Sequence, residues 1–137
     1  MEKILSLDIG DAWTGIAISD PLHIIASPLK TVSTHDLATE LQAIFAGESI
    51  HAVVVGLPQT MRGTESEQTK KIRMQFEHLK AAFSHTTWTL WDERLSSKRA
   101  AALGTRTKKN KEKNKQAKRQ EHAVAAAFIL DSYLNAQ

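Results

Sequence analysis

The spacing of apolar and polar positions changes along the chain, and the changes mark the elements. Lys3 to Asp8, KILSLD, reads as a strand ending in a carboxylate, with Gly10 supplying a tight turn just after it. Thr14 to Ser19, TGIAIS, alternates with period two and predicts a second strand. Asp20-Pro21 is a turn signal. His23 to Lys30 predicts a third strand, confined by Pro28 to an edge or an end of the sheet. Together the three suggest an antiparallel meander.

The period then becomes helical. Ser33 and Asp36 form an S-x-x-D capping box, and Leu37, Leu41, Ile44 and Phe45 follow at helical spacing up to a stop at Gly47. Ala52 to Val55 is an unbroken apolar strand, which implies burial on both faces. Thr64 and Glu67 form a second capping box for a helix carrying Ile72, Phe76, Leu79 and Phe83 on one face. Thr86 to Trp91 is a further strand running into Asp92-Glu93-Arg94. Ser96 or Ser97 caps a short helix reaching Leu103, and Glu121 to Asn135 closes the chain as an Ala-rich helix. The order predicts a mixed sheet with helices on its faces, in one domain over residues 1–137.

Charge adds one feature that the hydrophobic pattern does not show. Eight of the 18 Lys and Arg and one of the 15 acids fall within residues 106–119, RTKKNKEKNKQAKR. The rest of the chain keeps ten basic and fourteen acidic residues, a net charge of −4 against +3 for the whole. A basic loop of this density fits the phosphate backbone of a nucleic acid, while a solvated segment without a partner is the plainer alternative. With no Cys there is neither a disulfide framework nor a thiolate zinc site. No apolar run reaches the roughly 18 residues of a membrane span, and no signal-peptide core opens the chain. A cytoplasmic protein is expected, with no membrane partner.

The acids fall at strand ends. Asp8 closes the first strand, and Asp92 and Glu93 close the last. In open α/β sheets functional groups gather at the carboxyl ends of strands. Carboxylates drawn together there repel unless a cation lies between them, and oxygen donors suit Mg2+ or Mn2+. Taken singly, each acid also fits a turn or a local ion pair.

Four stretches give a resemblance. LDIGDAWTGIAISDP at 7–21, VVVGLPQTMRGTESEQT at 53–69, WDERLSS at 91–97 and AVAAAFILDSYL at 123–134 resemble, in order, the YqgF/RuvX family of Holliday junction resolvase-like, pre-16S rRNA nuclease proteins. The first stretch alone is shared with actin-like kinases and ATPases, which need a second similar domain that 137 residues do not accommodate. The resemblance implies an α/β, RNase H-like sheet, a three-stranded antiparallel meander plus two parallel strands flanked by helices. It also implies nuclease chemistry with two divalent ions, Mg2+ or Mn2+. Asp8 and Glu93 match the family's first two acids, with Asp92 beside the second.

The third acid of the family pattern is replaced here by His122, with Glu121 next to it. His122, Ala126, Ile129 and Tyr133 share one helical face, whereas Glu121 starts about 100° away. With the helix beginning at Glu121, His122 stands near its positive end, which disfavours a protonated imidazole and keeps the ring available as a ligand. A cap or packing role for His122, and an inward reach by Glu121, are the alternatives.

Three further positions depart from the family: Asp11 replaces a Thr, Trp13 stands near a usual basic residue, and Arg62 replaces an acid. Asp11 suits closure of the turn, with added charge at the metal site as the alternative. Trp13 suits either base stacking or packing. Arg94 suits a substrate phosphate or Asp92 equally. Arg106, Lys108, Lys109, Lys111 and Lys113 are the candidate phosphate contacts. The expected activity is phosphodiester hydrolysis at the 5′ end of pre-16S rRNA. A DNA four-way junction as substrate, and a nucleic-acid-binding protein with weakened or lost catalysis, are the competing readings. Structured RNA is the favoured partner and branched DNA the second, with the oligomeric state open.

Overall fold

The computed structural model describes residues 2–58, 66–92 and 115–137, with side chains in the last stretch from Glu121 onward. Five strands form one sheet: β1 (Lys3–Ile9), β2 (Trp13–Ser19), β3 (Ala26–Ser33), β4 (Ile50–Leu57) and β5 (Thr87–Asp92). Their order across the sheet is β3-β2-β1-β4-β5. β1–β2 and β2–β3 are antiparallel, whereas β1–β4 and β4–β5 are parallel. This is the expected meander plus two parallel strands. Three α-helices accompany it: α1 (Leu37–Gly47), α2 (Glu67–Ala82) and α3 (Lys115–Asn135).

Alternation along β1 sorts its residues onto two faces. Leu5, Leu7 and Ile9 pack in a core with Leu37, Leu41 and Ile44 of α1 and Ile72, Phe76 and Leu79 of α2. Ile4 packs on the other face with Ala126, Ile129, Leu130 and Leu134 of α3. β4 is flanked on both sides, and Ala52 through Leu57 are all buried, as its unbroken apolar run predicts. Asp8 shares the α3 face with Ile4 and Ser6. Its place follows from strand period alone.

Three boundaries differ from the sequence expectation. β3 begins at Ala26 rather than His23. The Asp20 carboxylate accepts the N–H groups of Leu22, Ile24 and Ile25 at 3.3, 2.7 and 2.7 Å, and His23 takes a positive φ of 58°. This turn consumes the residues that would have opened the strand. The amides, Ile25's first, hold the Asp20 carboxyl below the usual carboxylate range. Pro28 sits in β3, which is an edge strand as required.

The Ser33/Asp36 capping box does not form. Ser33 stays in β3, Thr34–Asp36 makes a 3-10 turn, and neither Ser33 nor Asp36 accepts a capping hydrogen bond. α2 is capped by Ser66, whose Oγ accepts the Thr69 N–H at 3.2 Å, while the expected cap Thr64 lies outside the described residues.

α3 begins by Lys115, six residues before the expected Glu121. The sequence KQAKRQ at 115–120 is made of good helix formers, so the helix runs back into the basic segment. Residues 115–119, expected as loop, are therefore helix. The remainder of that segment, 106–114, and the short helix from Ser96 or Ser97 lie outside the described residues. Among the described residues no helix is long and apolar enough to cross a membrane.

Candidate active site at the end of the first strand

Asp8 is the penultimate residue of β1, and the antiparallel register sets it opposite Gly15 of β2. This pairing decides what reaches Asp8. A Cβ added to Gly15 would lie 1.8 Å from the His122 carbonyl oxygen and 2.5 Å from the Ala123 nitrogen. Only a glycine lets the α3 backbone rest on β2 at this level, and His122 is delivered beside Asp8 as a result. One pleat back, the buried Ser6 hydroxyl donates to the Ala126 carbonyl oxygen at 2.5 Å. The helix is thus held to β1 and β2 at two consecutive turns, 122 and 126. At its far end the Trp91 indole N–H donates to Ser132 Oγ at 3.2 Å, and the Trp91 and Tyr133 rings meet edge to face.

His122 Nδ1 stands 3.8 Å from Asp8 Oδ2, an ion pair slightly longer than a hydrogen bond. The Asp8 carboxylate, as the acceptor facing the ring, raises the His122 pKa above its ordinary value. Partial burial works against this, and the negative charges of Asp8 and Glu121 add to the rise. The expected depression by a helix N-terminus does not occur. His122 is the eighth residue of α3, two turns beyond its first residue, outside the reach of the terminal dipole field.

The turn beneath the pair is braced by hydroxyls. Gly10 N–H donates to the Trp13 carbonyl at 2.9 Å and closes the turn. Thr34 Oγ1 donates to the Gly10 carbonyl at 2.7 Å, so the buried Thr14 hydroxyl, 2.9 Å from Thr34 Oγ1, is the donor in that contact. Thr34 N–H also donates to the Ala12 carbonyl at 3.0 Å. Asp11 does not close the turn with its side chain. It is exposed and stands 3.6 Å from Lys71 of α2. Trp13 is half-buried at the start of β2.

The donor set can be weighed against a cation. Two ligands each about 2.1 Å from a shared ion lie at most about 4.2 Å apart, and the 3.8 Å between Asp8 and His122 falls inside that span. Among the described residues no third His, Asp or Glu completes such a group. Asp92 ends β5 in register with Leu57. Trp88 and Leu90 face the α1/α2 core while Trp91 faces α3, so alternation assigns Asp92 to the face away from Asp8. Glu121 is half-buried beside His122 and acts on it through charge. Glu93, Arg94, Arg106, Lys108, Lys109, Lys111 and Lys113 lie outside the described residues.

Sequence reading missed Gly15, Ser6 and Thr34, which position the pair rather than belong to it. A glycine inside an otherwise β-branched and apolar strand was the available signal for Gly15. Nothing local distinguishes Ser6 or Thr34.

The sheet order, with an acid closing its first strand and a final helix laid against that acid, defines the RNase H-like class. T. thermophilus RuvC, solved in complex with a Holliday junction substrate, has the same fold: the TM-score is 0.64 over 99% of this chain and 95% of that one, at 14% identity. The chain belongs to the RuvX family, described as "Holliday junction resolvase", which it matches over residues 2–136, and this makes it a member of a nuclease family. Relatives named "Putative pre-16S rRNA nuclease" are 33% identical in Rubrobacter xylanophilus (96% of this chain, 91% of that protein) and 36% identical in Flavobacterium johnsoniae (100% and 99%). One from Porphyromonas gingivalis is 37% identical over 98% of this chain and 97% of its own.

Proposed function

We propose that the chain is a metal-dependent nuclease of the cytoplasm that hydrolyses phosphodiester bonds in structured RNA, trimming the 5′ end of pre-16S rRNA during ribosome biogenesis. The observation that carries this reading is the Asp8–His122 pair, two donors at cation-sharing distance on one face of the sheet. Asp8, His122 and Glu93 hold the metal. Glu93 is preferred to Asp92 because strand alternation turns Asp92 to the other face. Glu121 adds negative charge that favours a cation at His122. Held there, one or two Mg2+ or Mn2+ ions would supply Lewis-acid chemistry for phosphodiester hydrolysis. The imidazole nitrogen tilts the preference toward Mn2+.

The chain's own residues do the rest. Asp8 and His122 would place the cation at the end of β1, and the strand to be cut would lie against it. Arg94 pairs with a neighbouring phosphate oxygen. Arg106, Lys108, Lys109, Lys111 and Lys113 precede α3 in sequence and capture the backbone without reading bases. The names of the relatives favour RNA. The family's description favours a DNA four-way junction as the second reading.

A side-by-side assay decides between them: pre-16S rRNA fragments and four-way DNA junctions, each with Mg2+ and with Mn2+. Cleavage of RNA and not of junctions supports the proposal. Paired symmetric cuts in junctions, with RNA untouched, replace it by the second reading. Salt-sensitive binding of RNA with no cleavage under either metal leaves a binding protein.

A further inference from the structure

A cleft of about 730 Å3 opens on the other side of the Gly10 turn from His122. Ligand sites span roughly 300–1,000 Å3, so it has room for one nucleotide. The two sites share a wall. Gly10 lines the cleft, and a Cβ placed on Gly10 would lie 3.6 Å from His122 Cε1. Ile9 and Ile72, at 4% and 3% exposure, form an apolar floor, and Met74 stands exposed at the lip. α2 contributes Gln68, Lys71 and Gln75, spaced i, i+3, i+7 and therefore on one face. Lys71 Nζ is 3.6 Å from Asp11 Oδ1 across the opening.

Each of these groups suits a different part of a nucleotide. A glutamine amide offers a donor and an acceptor side by side, as base edges require. Aliphatic side chains and a thioether pack against the flat face of a ring. A lysine meets a phosphate. We propose that this cleft seats one nucleotide of the substrate strand beside the Asp8–His122 pair, its base against Gln68 and Gln75 and its phosphate at Lys71. Asp11 opposes that phosphate and limits the affinity. The inference rests on the nuclease reading, because it takes a strand crossing Asp8 as the ligand.

The test is fluorescence anisotropy with a labelled ten-nucleotide RNA in EDTA, where cleavage does not enter. Lys71→Gln is expected to weaken binding about threefold and to lower the slope of log K against log salt by about 0.7, one single-strand phosphate contact. Asp11→Asn is expected to tighten binding about threefold. The Gln68→Ala/Gln75→Ala double variant weakens binding about fivefold with the slope unchanged, consistent with base rather than phosphate contacts. Lys80→Gln, elsewhere on α2, leaves affinity as in the wild type. Equal losses for Lys71→Gln and Lys80→Gln, or no response to Asp11→Asn, overturn the cleft. Displacement of the RNA by AMP at equal concentration replaces the strand by a free nucleotide. Wild-type cleavage with Mn2+ is read in parallel. Cleavage without the predicted binding changes removes the cleft alone, and the binding changes without cleavage remove the nuclease reading alone.

Discussion

His122 stands beside Asp8 as an ion pair at 3.8 Å. The folded protein raises the His122 pKa above its value in the unfolded chain, mainly through the facing Asp8 carboxylate. The ion pair is therefore fully stabilising below the unfolded value, about 6.5, and its contribution is lost as pH rises through the folded value. In EDTA, His122→Gln is expected to lower stability more at pH 5.5 than at pH 8.5, as read by urea unfolding. The reverse order would mean that the ring is neutral in the fold. If His122 is a ligand as proposed, Mn2+ binding, which needs the neutral ring, is expected to run the opposite way and tighten as pH rises over the same range. Gly15 is the other decisive residue. Gly15→Ala places a methyl on the His122 carbonyl. The α3 backbone must lift, destabilising the fold by about 1–3 kcal/mol, and the His122–Asp8 contact opens. A thermal melt together with the His122 ring shifts in NMR reads both effects.

At the scale of elements, one helix landing makes the site. α3 is held to β1 by the Ser6 hydroxyl and to β2 by the absence of a side chain at Gly15. Among the described residues it is also held by Ile129, Leu130, Leu134, the Trp91–Ser132 hydrogen bond and the Trp91–Tyr133 contact. Ser66→Ala, which removes the cap of α2, is expected to cost about 1 kcal/mol while leaving the spectrum of His122 unchanged, because α2 lies on the other face. Strand identity and the two-faced burial of β4 were legible in the sequence, since period two and unbroken apolar runs are local signals. The start of β3 was not, because a carboxylate at Asp20 taking three downstream amides overrode the apolar run at 22–25. The start of α3 was misread because its first turns are basic and polar, and only propensity favoured helix there. That error reversed the sign of the expected His122 pKa shift. The pairing of position 122 with Asp8 was legible as helical phase, whereas Gly15, which brings them together, depends on register between two strands and a distant helix.

Across the whole molecule, the basic segment runs directly into the helix that carries His122. The described acids Asp8 and Glu121 both act on His122, and of the eight basic residues at 106–119 five precede α3 in sequence and three lie in its first turns. Replacing Lys108, Lys109, Lys111 and Lys113 by Gln is expected to weaken RNA binding strongly and to lower the slope of log K against log salt by up to about 3–3.5, at ~0.7–0.9 per phosphate contact, measured across 50 to 200 mM salt. An unchanged slope would separate the basic segment from the substrate.

If Asp8 anchors a metal-dependent hydrolysis of RNA, cleavage of a pre-16S rRNA 5′ fragment by the wild type and by Asp8→Asn, each with Mn2+, with Mg2+ and with EDTA, decides it. The wild type is expected to cleave with a divalent ion and not in EDTA, and Asp8→Asn to lose about a hundredfold or more. Cleavage that persists in Asp8→Asn at the wild-type rate, or that survives EDTA, would contradict it.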